Sequence, residues 1–236
     1  MVMKRTRRPD DLAEIMSRFP YSEGVGTEEV GELASRALFH EYPKNNILSY
    51  RGEPSGPIYL VIRGRVKIIL ANEEGREVIV ALHGPGGMFG LSSALDGQPQ
   101  LGTAITIDPT AMARFDPAVF LSWCRRMPAG QAALVRELTR RVRVLSDKIG
   151  AHALMSTRDR LLDTLLDIAD TEGERGQDGH SVSFERPTHQ ELAHRIGTSR
   201  EVVSRLLAEL MAGEMFEADG GRVIRVPLSA LVLRGE

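Results

Sequence analysis

Between Thr188 and Val226 the chain reads as two short helices joined at a glycine, followed by a glycine-centred hairpin. Few folds accommodate that order. Thr188 opens the first helix with Glu191 three residues on, the pairing of a capping box. Leu192, Ala193 and Ile196 supply its inner face, and Gly197 ends it. Thr198 or Ser199 caps a second helix, Arg200 to about Met211, whose inner side is Val203, Leu206, Leu207 and Leu210. Two short helices on a tight glycine turn make a helix-turn-helix. Gly220-Gly221, between Met215-Phe216 and Val223 to Val226, predicts a hairpin that would form a wing.

Upstream, Ile47 to Phe115 carries short apolar runs punctuated by Gly, Pro, Asp and Asn. Ile58 to Ile62, Val66 to Leu70, Glu77 to Leu82, Thr103 to Ile107 and Ala111 to Phe115 read as strands. Asn72 to Gly75 and Gly84 to Gly87 read as turns. Many short strands at even spacing predict an antiparallel barrel or roll. Thr27 to His40 reads as an amphipathic helix with Val30, Leu33, Ala34 and Leu38 inward and Thr27 as cap. Asp116-Pro117 starts another helix. From Pro128 a longer one carries Leu134, Leu138, Val142, Leu145 and Ile149 as one narrow apolar stripe. Packing on its own roll would use such a stripe, but the mixed three and four spacing favours a coiled-coil dimer seam. Ser156 or Thr157 caps a further helix with Leu161, Leu162, Leu165 and Leu166 inward.

The fold class is therefore α+β. A basic leader over 1–20 shows no clear core pattern, the antiparallel barrel or roll covers 21–127, a dimerisation helix 128–155, and a winged helix-turn-helix domain 156–236, with the boundary near Met155. No apolar run reaches the roughly 18 residues that cross a bilayer, and Asp10, Asp11 and Glu14 interrupt the N-terminus where a secretory signal would be apolar. A cytoplasmic protein without membrane contact is expected. The single cysteine, Cys124, makes no intrachain disulfide or thiolate cluster and reads as a small buried apolar residue rather than a redox sensor. The six histidines are scattered. No nucleophile elbow, P-loop, HExxH or Cys/His cluster is present, so neither an enzyme nor a metal or other cofactor is expected.

Charge sets a condition on any nucleic-acid reading. Ser156 to Glu236 holds ten arginines, no lysine and fifteen acidic residues. That balance argues against loose electrostatic attraction to DNA, and recognition must come from locally placed arginines. The outer face at the start of the second helix offers them: Arg200, Glu201, Ser204 and Arg205. In a helix-turn-helix that end enters the major groove. Arginine donates two hydrogen bonds to guanine, and glutamate accepts from cytosine N4. An ordinary salt-bridged face is the competing reading, since Glu201 and Arg205 also form an i, i+4 pair.

Glu191 to Leu207, ELAHRIGTSREVVSRLL, resembles the helix-turn-helix of the CRP/FNR family. Gly52-Glu53, Leu60 to Lys67, Gly86 to Gly90 and the long helix match the family in order, so the resemblance spans about residues 30 to 230. It implies a β-roll of cyclic-nucleotide-binding type, a dimerising helix and a winged helix domain. Carried over, Arg200, Glu201 and Arg205 would read a TGTGA-like half-site of double-stranded DNA. Thr188, Gln190, Ser199, Ser204 and, in the wing, Arg222 would hold phosphates. RNA polymerase would be the downstream partner.

Cyclic-AMP-binding members hold the ribose with a glutamate and the phosphate with an arginine. Here Leu91, after Gly90, stands at the glutamate position and Gln100 or Leu101 at the arginine position. Leu145-Ser146 replaces a Thr-Ser pair on the dimer helix. No arginine lies between Phe89 and Ala113, and a buried cyclic phosphate without a cation is costly. Cyclic AMP binding in the usual way is not expected. The pocket is vestigial, filled by its own side chains, or fitted to another effector. A regulatory module of some other protein is the alternative of a different class, but such modules need no helix-turn-helix.

Overall fold

The structure is a computed structural model describing residues 4–5, 12–17, 22–73, 75, 77–176, 178–213, 215–219 and 223–232. It divides into two compact units, Met1–Leu145 and Ser146–Glu236. The division falls inside one long helix, and the boundary expected near Met155 lies at that helix's C-terminal end.

The first unit is built on two antiparallel sheets. One has the order β1-β2-β9-β4-β7 (Lys4–Arg5, Leu38–Tyr42, Thr110–Phe115, Ile58–Arg63, Met88–Phe89), the other β3-β8-β5-β6 (Ile47–Ser49, Thr103–Thr106, Val66–Ala71, Glu77–His83). Tyr42, Tyr59, Val61, Val66, Phe89, Ala104 and Met112 fill the space between the sheets. Tyr59 and Phe89 stack there with ring centroids 4.8 Å apart. Ile58 and Leu60 point to the opposite face, into a second apolar cluster with the helices. Strand β4 is thus buried on both faces, which is why it reads as a continuous apolar run instead of an alternation.

Helices α1 (Leu12–Ser17), α2 (Thr27–Ser35), α3 (Leu91–Asp96), α4 (Pro117–Arg126) and the start of α5 (Pro128–Leu154) flank the roll. Asp116 caps α4 by accepting from the amides of Ala118 and Val119 at 2.9 and 3.2 Å. Two expectations are corrected. Leu12 and Met16, within the leader, are 1% and 3% exposed in the apolar cluster, so part of that segment belongs to the core. The helix from Thr27 stops at Ser35, and Gly26, not Thr27, is its N-cap. Leu38 sits instead in β2, where pairing with β9 satisfies the backbone and leaves its side chain exposed.

In the second unit, Ser156 caps α6 (Thr157–Glu172), accepting from Asp159 N at 3.2 Å. The sheet β10-β11-β13-β12 (Glu174–Arg175, Ser181–Glu185, Val223–Pro227, Glu217–Asp219) packs with α6, α7 (His189–Ile196), α8 (Arg200–Met211) and α9 (Leu228–Val232). Leu161, Leu165, Leu192, Ala193, Ile196, Val203, Leu206, Leu207, Leu210 and Ile224 share one buried cluster. Each buried leucine or isoleucine contributes about 1.5–3 kcal/mol of transfer free energy. The tip between β12 and β13, with Gly220, Gly221 and Arg222, lies outside the described residues.

Candidate nucleic-acid interface

The angle between α7 and α8 is set by local chemistry at three residues. Thr188 Oγ1 accepts from Glu191 N at 3.2 Å, while the Glu191 carboxylate accepts from Thr188 N at 3.0 Å, completing the capping box. Gly197 ends α7 in the left-handed region at φ 67°, where a β-carbon would be strained. Ser199 then caps α8, accepting from Val202 N. The inward residues Leu192, Ala193 and Ile196 meet Val203, Leu206 and Leu207 in the buried cluster. That packing fixes which face of α8 remains outside.

The outside face carries Arg200, Glu201, Ser204 and Arg205, which line one shallow cleft and are all exposed. Glu201's carboxyl is held below its ordinary value by its own backbone N–H, then by the Ser199 hydroxyl and the Arg200 charge, so it is an anion near neutral pH. The i, i+4 partner of Arg205 is not Glu201. Arg205 donates from Nη1 to Glu209 Oε1 at 2.8 Å, one turn further along. Glu209 is a neighbour that reading the motif had passed over, although its four-residue spacing was visible.

Of the expected phosphate contacts, Thr188, Gln190, Ser199 and Ser204 are exposed. Arg222 lies outside the described residues. Thr188 and Gln190 line a second cleft together with Arg186, Pro187, His189 and Arg200. Gln190 also hydrogen-bonds His194 on the same helix.

The residues at the expected effector positions differ in burial. Leu91 is 0% exposed and belongs to the apolar cluster with Leu33, Phe115 and Trp123. Gly90 precedes it at φ 79°, and a β-carbon there would come within 2.4 Å of the Pro57 carbonyl. The turn and the close Pro57 carbonyl thus require a glycine here. Gln100 accepts from Ser93 Oγ at 3.1 Å, Ser93 being a buried hydroxyl that sequence reading did not single out. Leu101 is 64% exposed. Leu145 and Ser146 are exposed on α5.

The stripe on α5 divides. Leu134 and Leu138 are half-buried against the cluster of their own roll. Val142, Leu145 and Ile149 are outward, 63%, 46% and 70% exposed. Val135, which the stripe had left out, is 61% exposed. Val135, Val142, Leu145 and Ile149, with Leu138 between the first two, repeat at alternate three and four spacing. That is a strict heptad series. Leu134 falls off it, on the inward face with Ala133 and Glu137.

Residues 39–127 match the family model for a cyclic nucleotide-binding domain, and residues 159–231 that for a Crp-like helix-turn-helix domain. The cyclic AMP receptor protein of Thermus thermophilus is 30% identical over 195 residues, 83% of this chain and 87% of that protein. A CRP-like cAMP-activated global transcriptional regulator of Mycobacterium tuberculosis is 28% identical over 213 residues, covering 90% and 95%. Among solved structures, the c-di-GMP responsive global regulator CLP of Xanthomonas campestris superposes with TM-score 0.74 at 23% identity, covering 84% of this chain and 98% of that one.

Proposed function

The chain belongs to the CRP/FNR family of DNA-binding transcription regulators and is not an enzyme, and on that premise we propose that it binds a two-fold symmetric, TGTGA-like site as a homodimer without needing cyclic AMP. The observation that carries the reading is the outward placement of Arg200, Glu201, Ser204 and Arg205 at the first turns of α8. Arg200 and Arg205 each address a guanine, and Glu201 accepts from a cytosine amino group. An anion aimed at DNA is repelled by phosphate unless a base edge donates to it, so Glu201 favours sequence reading over backbone grip.

The heptad series on α5 supplies the dimer seam, and a two-fold axis there brings a second recognition helix to the next major-groove face, about 34 Å away. Thr188, Gln190, Ser199 and Ser204 hold backbone phosphates, and Arg222 does so from the wing. The bound dimer raises or lowers transcription by touching RNA polymerase or by excluding it, in the cytoplasm. Among the described residues no helix is long and apolar enough to cross a membrane.

Independence from cyclic AMP rests on Leu91. A glutamate there would enter an apolar cluster, and the segment from Phe89 to Ala113 offers no arginine to a phosphate. The second reading keeps the fold and adds a gate. It is favoured by the relatives, two of which are named for cyclic AMP and one for c-di-GMP.

Selection from random duplex DNA at one fixed salt concentration, with and without cyclic AMP, separates these. A TGTGA-like inverted repeat in both arms is expected. Recovery only with cyclic AMP overturns the reading of Leu91 and Gln100. Recovery of no motif in either arm points to a missing effector or removes the base-reading assignment.

A further inference from the structure

The cleft beside α7 is lined by Arg186, Pro187, Thr188, His189, Gln190 and Arg200 and has a volume of about 570 Å³. Its cationic lining comes from three places in the fold. Arg186 lies between β11 and α7, His189 is the first residue of α7, and Arg200 is the first residue of α8. Thr188 and Gln190 add a hydroxyl and a carboxamide. In a domain with fifteen acidic residues and ten arginines, two arginines and a histidine around one cleft are an exception to the surrounding charge. We propose that this cleft seats a backbone phosphate of DNA and that His189 closes on it as an imidazolium, so that binding takes up one proton per protomer.

The inference deepens, and rests on, the DNA-binding reading above. In the unliganded protein His189 sits below its ordinary value of 6.5, first through burial and then through the charges of Arg186 and Arg200. Of the other ionisable groups on its helix, Glu191 is turned into the capping box with Thr188, His194 is bonded to Gln190, and Arg195 stands in the last turn. A phosphate between the two guanidiniums offsets their repulsion of the imidazolium, which acts beside the larger effect of burial, and adds an attraction of its own. The histidine's pKa therefore rises on binding. Affinity is higher below the bound-state value and falls as pH rises through it. Because a phosphate carries no sequence information, the effect is the same on any duplex.

The test is fluorescence anisotropy at constant ionic strength from pH 5.5 to 8.5, with a duplex carrying a TGTGA inverted repeat and with a scrambled duplex. Wild type, His189→Gln and His189→Arg are compared. Wild type is expected to bind both duplexes about three- to tenfold tighter at pH 6 than at pH 8. His189→Gln is expected to lose that slope and stay weak. His189→Arg loses it and stays tight at pH 8, with a salt slope steeper by roughly one ion per protomer. A wild-type profile flat in pH, or a slope that survives in His189→Gln, overturns the proposal while leaving the regulator reading intact. Binding of neither duplex at any pH, by any variant, overturns both.

Discussion

Arg141 lies 2.8 Å from the carboxylate of Glu137 one turn earlier on α5, and its second nitrogen donates to the main-chain carbonyl of Met88 in β7. Glu137 is only 5% exposed and also accepts from Arg140 at 2.8 and 3.0 Å. The helix carrying the heptad series is thus tied to the roll by Arg141, which the buried Glu137 carboxylate holds in place. Burial pushes Glu137 upward, but the bonds from Arg140 and Arg141 outweigh it, and the carboxyl stands below the ordinary 4.5. A lowered acid contributes stability that is complete above the unfolded value and lost as pH falls through the folded one. Urea melts of wild type should weaken below about pH 4.5, and those of Glu137→Gln should weaken less. Arg141→Met should cost about 2–3 kcal/mol at pH 7. Equal acid sensitivity in wild type and Glu137→Gln would remove the carboxylate from this role.

The two apolar faces of α5 predict opposite phenotypes. Val142→Asp or Ile149→Asp should give folded monomers in sedimentation and weaken binding to a two-fold site, because these side chains are exposed in the single chain. Leu134→Ala should leave the dimer intact and lower stability by about 1–3 kcal/mol, since it is half-buried in the roll's own cluster. Dimeric Ile149→Asp protein would sink the seam.

On α8, Arg200→Ala and Arg205→Ala should each cost about 1–3 kcal/mol and blur preference at one base position. A uniform loss over all sequences would mean that these side chains touch only phosphate.

If Arg205 reads DNA as proposed, Glu209 is its competitor for that side chain. Their ion pair is exposed, 65% on the arginine and 48% on the glutamate, and so holds weakly. Glu209→Gln should bind DNA about two- to fivefold tighter, with base preference unchanged. If preference at the Arg205 position drops instead, the carboxylate orients the arginine and does not compete for it.

Burial pushes the Cys124 thiol up to about 11, and the side chain is 4% exposed. At pH 8 roughly one thiol in a thousand is thiolate. Iodoacetamide should leave the native protein unlabelled and modify it only in denaturant. Rapid native labelling would show that the site opens.

Most of what depends on neighbours along the chain was legible in the sequence. The capping box at Thr188, the Asp116 and Ser156 caps, the glycine turn at Gly197 and the strands from Ile58 to Phe115 follow from contacts a few residues apart. With them came the α+β class, the helix-turn-helix and the outward face of α8. Tertiary structure decided what covers each apolar surface. Leu134 and Val135 are adjacent and both apolar, yet the roll takes the first and leaves the second bare. Leu12 and Met16 looked like leader residues until a core formed to receive them. Leu38 continued a helical pattern until β9 offered hydrogen bonds that a helix end could not match. The physical reason is common to all three. Backbone propensity and capping act over one helical turn, whereas burial is a property of surfaces brought together from distant parts of the chain.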